Sequence, residues 1–387
     1  MMRRHEVLTV LHLTHTHIPS DVRILRELNA LSESPDLEVH AYGVQEKMSP
    51  DLREVQGSFV LSEIRILVGR ISWLWRPARY ALLMLEVNTR FVTRMLRLRP
   101  NIVHCHDTLV LPAGALAKVL LRSTLIYDAH ELESDKGGQS PALSKATLLI
   151  ERYCWPRIDR LITVSPSITD WYARNLGLKP TACILNSPET KTVRGLAANG
   201  SEIGLRVQLE IGLEVPLFVF VGGLGMGRGI ELLLETFSGA DVEAHVAFIG
   251  SGALGETIDR ASDSNGNIHR YEMVPPDQLV YLIQEATGGF CLIEDSCLSE
   301  RYCLPNKLFT YAFAGLPVIA SRLPEIERYV EQYQLGVCAD LSVESITAAV
   351  QDCMNAPRNL PIERLAELSW ARQAEVLTQL YSGLDVV

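Results

Sequence analysis

The sequence predicts an α/β protein built from two doubly wound, Rossmann-like domains. Three observations carry this. Short runs rich in Val and Ile alternate with longer stretches of helical period, and the runs are almost continuously apolar, as strands of a parallel sheet covered on both faces must be. The alternation occurs twice, on either side of a polar, Gly-containing stretch without apolar period, Pro188–Gly204. The chain, at 387 residues, is also long for a single core.

The expected strands of the first half are Val7–Leu13, Leu37–Tyr42, Ile102–Cys105, Thr124–Tyr127, Leu161–Val164 and Ala182–Leu185. Those of the second half are Leu217–Val221, His245–Ile249, Gly289–Ile293, Val318–Ala320 and Gly336–Cys338. The tail Ile362–Tyr381, containing Trp370, reads as one long helix. This gives an N-terminal domain over 1–188, a linker over 189–204, a second domain over 205–361 and a closing helix within 362–387.

Composition narrows the class. An apolar content of 47% with 21% charged residues is that of a globular protein. No run of about 18 apolar residues is present, and the opening MMRRHEVLTVLHL lacks the long apolar region and cleavage site of a signal peptide. A cytoplasmic location is the expectation. The eight cysteines match no zinc spacing and read as free thiols. A net charge of −10 argues against nucleic acid as a partner. The charge is unevenly spread: residues 1–180 carry 23 Lys and Arg against 19 Asp and Glu, and the remainder 13 against 27. The halves are expected to face different partners.

Three motifs of the second half point to an anion. In PLFVFVGGLGMGRGIELLLETF a buried strand runs into Gly222, Gly223 and Gly225, then Arg228, then a helix. Glycines let backbone N–H groups approach a phosphate, the helix N-terminus adds positive potential, and Arg228 adds a forked cation. In HVAFIGSGALGETI, Gly250, Gly252 and Gly255 satisfy a dinucleotide fingerprint, with Glu272 roughly where its acid belongs. This is the second strand of its domain rather than the first, so a tight turn lining the same anion pocket is the preferred reading. In LPNKLFTYAFAGLPVIAS, Pro305 suits a first helical turn, Lys307 and Thr310 share a helix face, and Gly315 with Pro317 ends the helix. A surface lysine is the plain alternative. Lys307 and Arg228 both follow strand C-termini, where open α/β sheets bind ligands.

In the first half, THTHIPSDVRILRELNAL places His15, His17, Ser20, Asp21 and Arg23 after the first strand. Ser20 or Asp21 also suits a helix N-cap. IVHCHDTLVLP adds His104, His106 and Asp107, and LIYDAHELESD adds Asp128, His130, Glu131 and Glu133, each at a strand end. The histidines suggest a metal, but no His-x3-His pair shares a helix, and no metal is expected. Arg65–Pro100 holds eight arginines, the single acid Glu86, and Trp73 and Trp75. Such a stretch suits an anionic membrane surface, hence a peripheral position on its inner face, or else is a solvated amphipathic helix.

In order and spacing, these motifs resemble retaining GT-B glycosyltransferases of family 4, the group 1 transferases. DVRILRELNAL, IVHCHD, YDAHELE and IDRLITVSPSITDWY look like the acceptor domain of that family. VGGLGMGRGIELLLE, FIGSGALGETI, LPNKLFTYAFAGLPVIAS and LPEIERYV look like its donor domain. The resemblance implies two Rossmann-like domains facing across a cleft, with a C-terminal helix returning to the first. It implies a nucleoside-diphosphate-sugar as co-substrate, no further cofactor, no metal, and transfer with retention. Together with the positive first half and the Arg/Trp stretch, it sets the expected acceptor as a hydroxyl of a lipid-linked glycan precursor, in cell-surface polysaccharide or glycoconjugate synthesis. It places the diphosphate clamp on Arg228 and Lys307 and the sugar-contacting histidine on His130. Donor contacts fall on Gly222, Gly223, Gly225, Gly250, Gly252, Glu300, Asn306, Thr310, Leu316 and Glu325, and acceptor-side contacts on His17, Asp21, Arg23, His106 and Asp107.

Two departures stand out. Many members have Gly-Arg where this chain has Gly222-Gly223. The paired glutamates of the family fall on Tyr302 and Thr310. A carboxylate accepts two charge-assisted bonds from ribose hydroxyls, and a threonine offers less, at a cost of about 1–2 kcal/mol. Glu294, Asp295, Glu300 and Glu325 lie close in sequence, and Glu300 is the best substitute. The departures keep two alternatives open: a non-catalytic scaffold subunit of a partner transferase, or a nucleotide-sugar epimerase.

Overall fold

The computed structural model describes residues 7–45, 53–56, 58–68, 76–189, 204–355 and 362–384. The expected linker lies almost wholly outside them, as do Trp73 and Trp75. The chain divides into two compact units, Met1–Ile184 with Ala374–Val387, and Leu185–Gln373.

Unit 1 is built on β1 (Leu8–Leu13), β2 (Leu37–Val44), β3 (Arg53–Gln56), β4 (Phe59–Ile64), β5 (Ile102–His106), β6 (Thr124–Ala129), β7 (Arg160–Thr163) and β8 (Thr181–Cys183). Its helices are α1 (Val22–Ser32), α2 (Arg76–Leu98), α3 (Leu111–Leu121), α4 (Pro141–Cys154) and α5 (Pro166–Asn175). The sheet order is β3-β4-β2-β1-β5-β6-β7-β8, parallel except for the β3–β4 edge pair. Strands β5 and β6 are buried along their whole length, as a sheet covered on both faces requires. The order reverses at β1, which pairs with β2 on one side and β5 on the other. A crevice opens at such a point beyond the strand C-termini.

Strands β3 and β4 were not expected from the sequence. β4 carries Ser62 and Glu63, which break the apolar pattern although both are buried. Glu63 is tolerated because His17 and the Ile18 N–H bind its carboxylate, at 2.8 and 3.1 Å.

Unit 2 is built on β9 (Leu217–Val221), β10 (His245–Ile249), β11 (Ile268–Tyr271), β12 (Gly288–Cys291), β13 (Val318–Ser321) and β14 (Gly336–Ala339). Its helices are α6 (Leu205–Gln208), α7 (Ile230–Ser238), α8 (Gly255–Ser264), α9 (Pro276–Ile283), α10 (Leu298–Arg301), α11 (Asn306–Phe313), α12 (Pro324–Tyr333), α13 (Val343–Asn355) and α14 (Ile362–Leu365). The sheet order β11-β10-β9-β12-β13-β14 is all parallel. It is the Rossmann order 3-2-1-4-5-6, with its switch point between β9 and β12. Phe218, Phe220, Phe237, Phe248 and Phe290 fill one core cluster, each contributing about 1.5–3 kcal/mol by burial.

The last helix differs from the expected single rod. Ala366–Leu368 forms a 3-10 turn, Ser369 is extended at φ −69° and ψ 153°, and α15 (Trp370–Ser382) starts afresh. The Ser369 hydroxyl explains the break: it donates to Ala366 O at 2.7 Å and accepts from Arg372 N at 3.3 Å, competing with helix continuation. Residues from Ala374 onward belong to unit 1.

Candidate functional site

Both switch points carry concentrated chemistry. In unit 2, β9 runs into a Gly-rich turn whose glycines answer different demands. Gly222 and Gly227 have φ of +124° and +76°, a backbone that L side chains rarely adopt. A Cβ on Gly250 or Gly252 would lie 1.9 Å from Gly222 O or 2.3 Å from Leu224 O. These two therefore let the turns after β9 and β10 interlock, through Gly222 N–H to Ile249 O at 3.0 Å and Leu224 N–H to Ser251 O at 2.9 Å. Gly223 and Gly225 have neither a positive φ nor any atom within 4 Å of an added Cβ. Nothing in the fold requires glycine there, and the backbone at both positions is open.

Across the switch point, α11 starts at Asn306 with Pro305 as its extended N-cap, one position earlier than the expected first turn. Its end is a Schellman motif: Leu316 N–H binds Tyr311 O at 2.9 Å, Gly315 N–H binds Ala312 O at 3.0 Å, and Gly315 has φ +75°. Leu316 is the buried apolar residue that accompanies such an end. Tyr311, absent from the sequence-derived site, holds the helix. Its hydroxyl accepts from Val221 N–H at 2.8 Å and donates to Phe290 O at 3.1 Å, bridging β9 and β12. Gly289 makes room for the ring, since a Cβ there would sit 2.5 Å from it.

One turn before Tyr311, this arrangement buries Lys307. Its ammonium lies 4.1 Å from the Phe220 ring centroid and has no hydrogen-bond partner. Burial, with Arg228 nearby, pushes its pKa down to about 8. Arg228 is exposed, and its charge, like those of Lys307 and Glu300, is felt at the Cys303 thiol. Glu300, on α10, accepts a hydrogen bond from Ser296. Thr310 spends its hydroxyl on Asn306 O at 3.1 Å, and Asn306 is exposed. Glu325 is buried in the first turn of α12 and pairs with Arg328 at 2.6 Å.

In unit 1, Asp21 is the N-cap of α1, accepting from Ile24 N–H at 3.2 Å, and His17 is tied to Glu63. These bonds account for both side chains. Arg23 is buried, with Nη2 3.1 Å from each Asp128 oxygen, Nε 3.1 Å from Glu27 and Nη1 2.9 Å from Ile184 O. It organises the interior rather than facing a ligand.

His130 sits at the surface of this network, with 18% of its side chain exposed. Its Nε2 is 3.2 Å from Asp128 Oδ2 and 3.1 Å from His106 Nδ1, and its Nδ1 is 3.8 Å from Asp107 Oδ1. Asp107 turns toward it from the end of β5 with φ +65°. Burial alone would lower the imidazolium pKa, but Asp107 and Asp128 override it and raise it to about 10. Burial alone would likewise raise Asp128; Arg23 and His130 hold its carboxyl well below the ordinary range. Glu27, buried beside the charged Asp128 and only partly relieved by Arg23, is pushed up to about 8. The site thus presents an imidazolium bonded to Asp128, with the Asp107 carboxylate nearby at 3.8 Å.

Metal-ligand distances occur within the same network. Ligand atoms of His12, Glu27, His104 and His106 lie within 4.8 Å of one another, as do those of His106, Asp128 and His130. However, both ring nitrogens of His12 and of His106 are already in hydrogen bonds. An ion there would have to displace them.

With this geometry in hand, residues 20–188 match the family of glycosyl transferase 4-like domains. No curated protein matches the chain. Among solved structures, sucrose-phosphate synthase from Thermosynechococcus elongatus is similar, with a TM-score of 0.77 at 15% identity, over 97% of this chain and 98% of that one. The UDP-forming alpha,alpha-trehalose-phosphate synthase from Burkholderia vietnamiensis gives 0.73 at 10% identity, over 98% and 100%. HepE of Anabaena, in complex with UDP, gives 0.68 at 13% identity, over 97% and 100%. These likenesses establish the GT-B fold. The matched residues span β5 and β6, and so include His104, His106, Asp107, Asp128 and His130.

Among the described residues, no helix is long and apolar enough to cross a membrane. Sequence reading left His12, Glu27, Tyr311 and Tyr381 out of the site. A usable signal existed for one of them: His104 and His106, two apart on a strand, share a face, and His12 is the parallel-register partner of His104.

Proposed function

We propose that the chain is a glycosyltransferase that moves a sugar from a nucleoside-diphosphate-sugar to a hydroxyl of an acceptor. The observation that carries this is Lys307, a buried cation without a hydrogen-bond partner, beside Arg228 and turned glycines at the switch point of a Rossmann sheet. A buried unpaired charge is expensive and persists where an anion neutralises it. Breaking a glycosyl–phosphate bond leaves charge on the diphosphate. Two cations and backbone N–H groups stabilise that charge without a metal or further cofactor. Support for the donor class comes from HepE, solved with UDP-glucose, and from the trehalose-phosphate synthase described as UDP-forming.

In this reading Gly222, Gly223 and Gly225 offer backbone to the diphosphate, and Asn306 lies at the same helix start. Glu300 takes the ribose contact that Thr310 lacks. His130 meets the transferred sugar, with Asp107 and His106 behind it. Transfer proceeds with retention to a glycan precursor, lipid-linked and held at the inner membrane face, in cell-surface polysaccharide or glycoconjugate synthesis. The test is incubation with a panel of nucleotide sugars and glycan acceptors, following nucleotide release and the anomeric configuration of the product. Absence of release or binding with every donor, beside an active related enzyme, removes the proposal.

Thr310, whose hydroxyl is spent within its own helix, favours a second reading as a non-catalytic scaffold. On that reading His130→Ala leaves glycan assembly intact in cells. Loss of assembly by a folded variant rejects it. Turnover without an acceptor would instead indicate an epimerase.

A further inference from the structure

Three imidazoles of unit 1, His12, His104 and His106, are wholly buried. Buried polar groups persist when they are hydrogen-bonded, and these are bonded in series. His130 Nε2 is 3.1 Å from His106 Nδ1, and His106 Nε2 is 2.9 Å from His12 Nδ1. His12 Nε2 is 3.4 Å from the Tyr381 hydroxyl, which is 2.8 Å from His104 Nδ1. The rings of His104 and His106 stack at 4.4 Å. At the far end, His104 Nε2 faces two carboxylates, Asp128 at 3.7 Å and Glu27 at 3.8 Å.

A neutral imidazole has one donor and one acceptor nitrogen, so the choice at one ring fixes the next. All three rings are held neutral, chiefly by burial. His104 Nε2 has no hydrogen-bond partner and faces the charged Asp128 carboxylate at 3.7 Å, whose field favours hydrogen on Nε2 and leaves Nδ1 to accept from Tyr381. The tyrosine oxygen then accepts from His12 Nε2–H, His12 Nδ1 accepts from His106 Nε2–H, and His106 Nδ1 accepts from His130 Nε2–H. In this order each link has one donor and one acceptor, and the His130 Nε2–H is shared between His106 Nδ1 at 3.1 Å and Asp128 Oδ2 at 3.2 Å, with His106 Nδ1 itself 3.4 Å from that oxygen.

We infer that Tyr381 and the three histidines form a one-way hydrogen-bonded chain that fixes the orientation of the His130 ring, with Tyr381 as a positioning residue. The inference rests on the reading of His130 as the sugar-contacting group. His130 Nε2–H points inward, and Nδ1–H is left for a ligand, beyond hydrogen-bond reach of Asp107 at 3.8 Å. The charged and titratable groups facing the network are Arg23, Glu27, Asp107, Asp128, His15 and Lys136. Tyr381 lies 277 residues from His104 in sequence, so the last helix completes a site begun at the first strand.

Two measurements on the full chain decide this. The first is nitrogen-15 NMR of the histidine side chains, which reads each tautomer without any variant or substrate. The expected result is Nε2–H on His12, His104 and His106. Nδ1–H on these three, or stoichiometric zinc held by the cluster after purification, overturns the inference. The second is Tyr381→Phe, which keeps the ring and removes the hydroxyl. It should change the His12 and His104 signals, lower turnover about tenfold, and leave the donor KM and the affinity for UDP within twofold. Unchanged turnover with unchanged tautomers overturns the positioning role. If no donor is turned over at all, the proposed function fails, and the NMR result still decides the chain.

Discussion

Lys307 sets the terms at the scale of single residues. A buried, unpaired ammonium destabilises the free protein, and removing it relieves that cost. Lys307→Met should raise stability by about 1–3 kcal/mol and weaken nucleoside diphosphate binding at least tenfold, measured by thermal unfolding and by calorimetry. A drop in both would mean that the charge has an internal partner. Its pH dependence follows from a pKa of about 8 against an ordinary 10.5. Between these values the unfolded chain binds the extra proton, so this group makes stability rise with pH across that window. Diphosphate binding needs the charged form, so affinity should fall as pH rises through about 8. Glu300 makes a separate prediction. Glu300→Gln should weaken UDP about tenfold and leave inorganic pyrophosphate unaffected, because only UDP brings a ribose. Equal loss for both would place Glu300 elsewhere than on the sugar hydroxyls.

At the scale of elements, the two kinds of glycine around β9 and β10 should separate under mutation. Gly250→Ala drives a Cβ to 1.9 Å from Gly222 O, and backbone cannot yield as a flexible side chain does. It should destabilise the protein by at least about 2 kcal/mol. Gly223→Ala meets open space at an ordinary φ and should leave the unfolding temperature within 2 degrees or so, while weakening UDP binding. The elements that sequence reading found share a cause. Strands such as Leu217–Val221 are buried throughout, and burial on both faces leaves an apolar run that needs no knowledge of partners. The elements it missed fail the same test. β4 contains Glu63, admissible only because His17, 46 residues earlier, binds it. β11 reads Ile-His-Arg-Tyr with only Ile268 buried. Likewise, the Gly-rich turn was legible from local glycines, and the proposal that it binds an anion from the arginine beside them. The histidine chain was not, because its central link comes from the last helix.

At the scale of the whole molecule, charge and exposed apolar surface meet on unit 1. The first 180 residues carry a net positive charge while the rest carry a net negative one. Helix α2 runs for 23 residues with Val87, Phe91 and Met95 buried and Leu82, Leu85 and Leu96 exposed. Its single acid, Glu86, accepts from Leu67 N–H and Val68 N–H, at 3.0 and 2.8 Å, and pairs with Arg90 at 2.9 Å. The carboxylate is thereby occupied within the protein and adds little repulsion toward an anionic surface. Basic side chains close to a charged bilayer contribute about 1 kcal/mol each, and that attraction extends roughly 10 Å at 0.1 M salt but only 3 Å at 1 M. The chain should therefore sediment with vesicles containing phosphatidylserine at low salt and release near 1 M. Arg79, Arg94 and Arg97 changed together to Gln should reduce binding by at least tenfold without altering the affinity for UDP. Binding that ignores salt would instead point to the leucines alone, and absence of binding would leave the proposed lipid-linked acceptor without a docking surface.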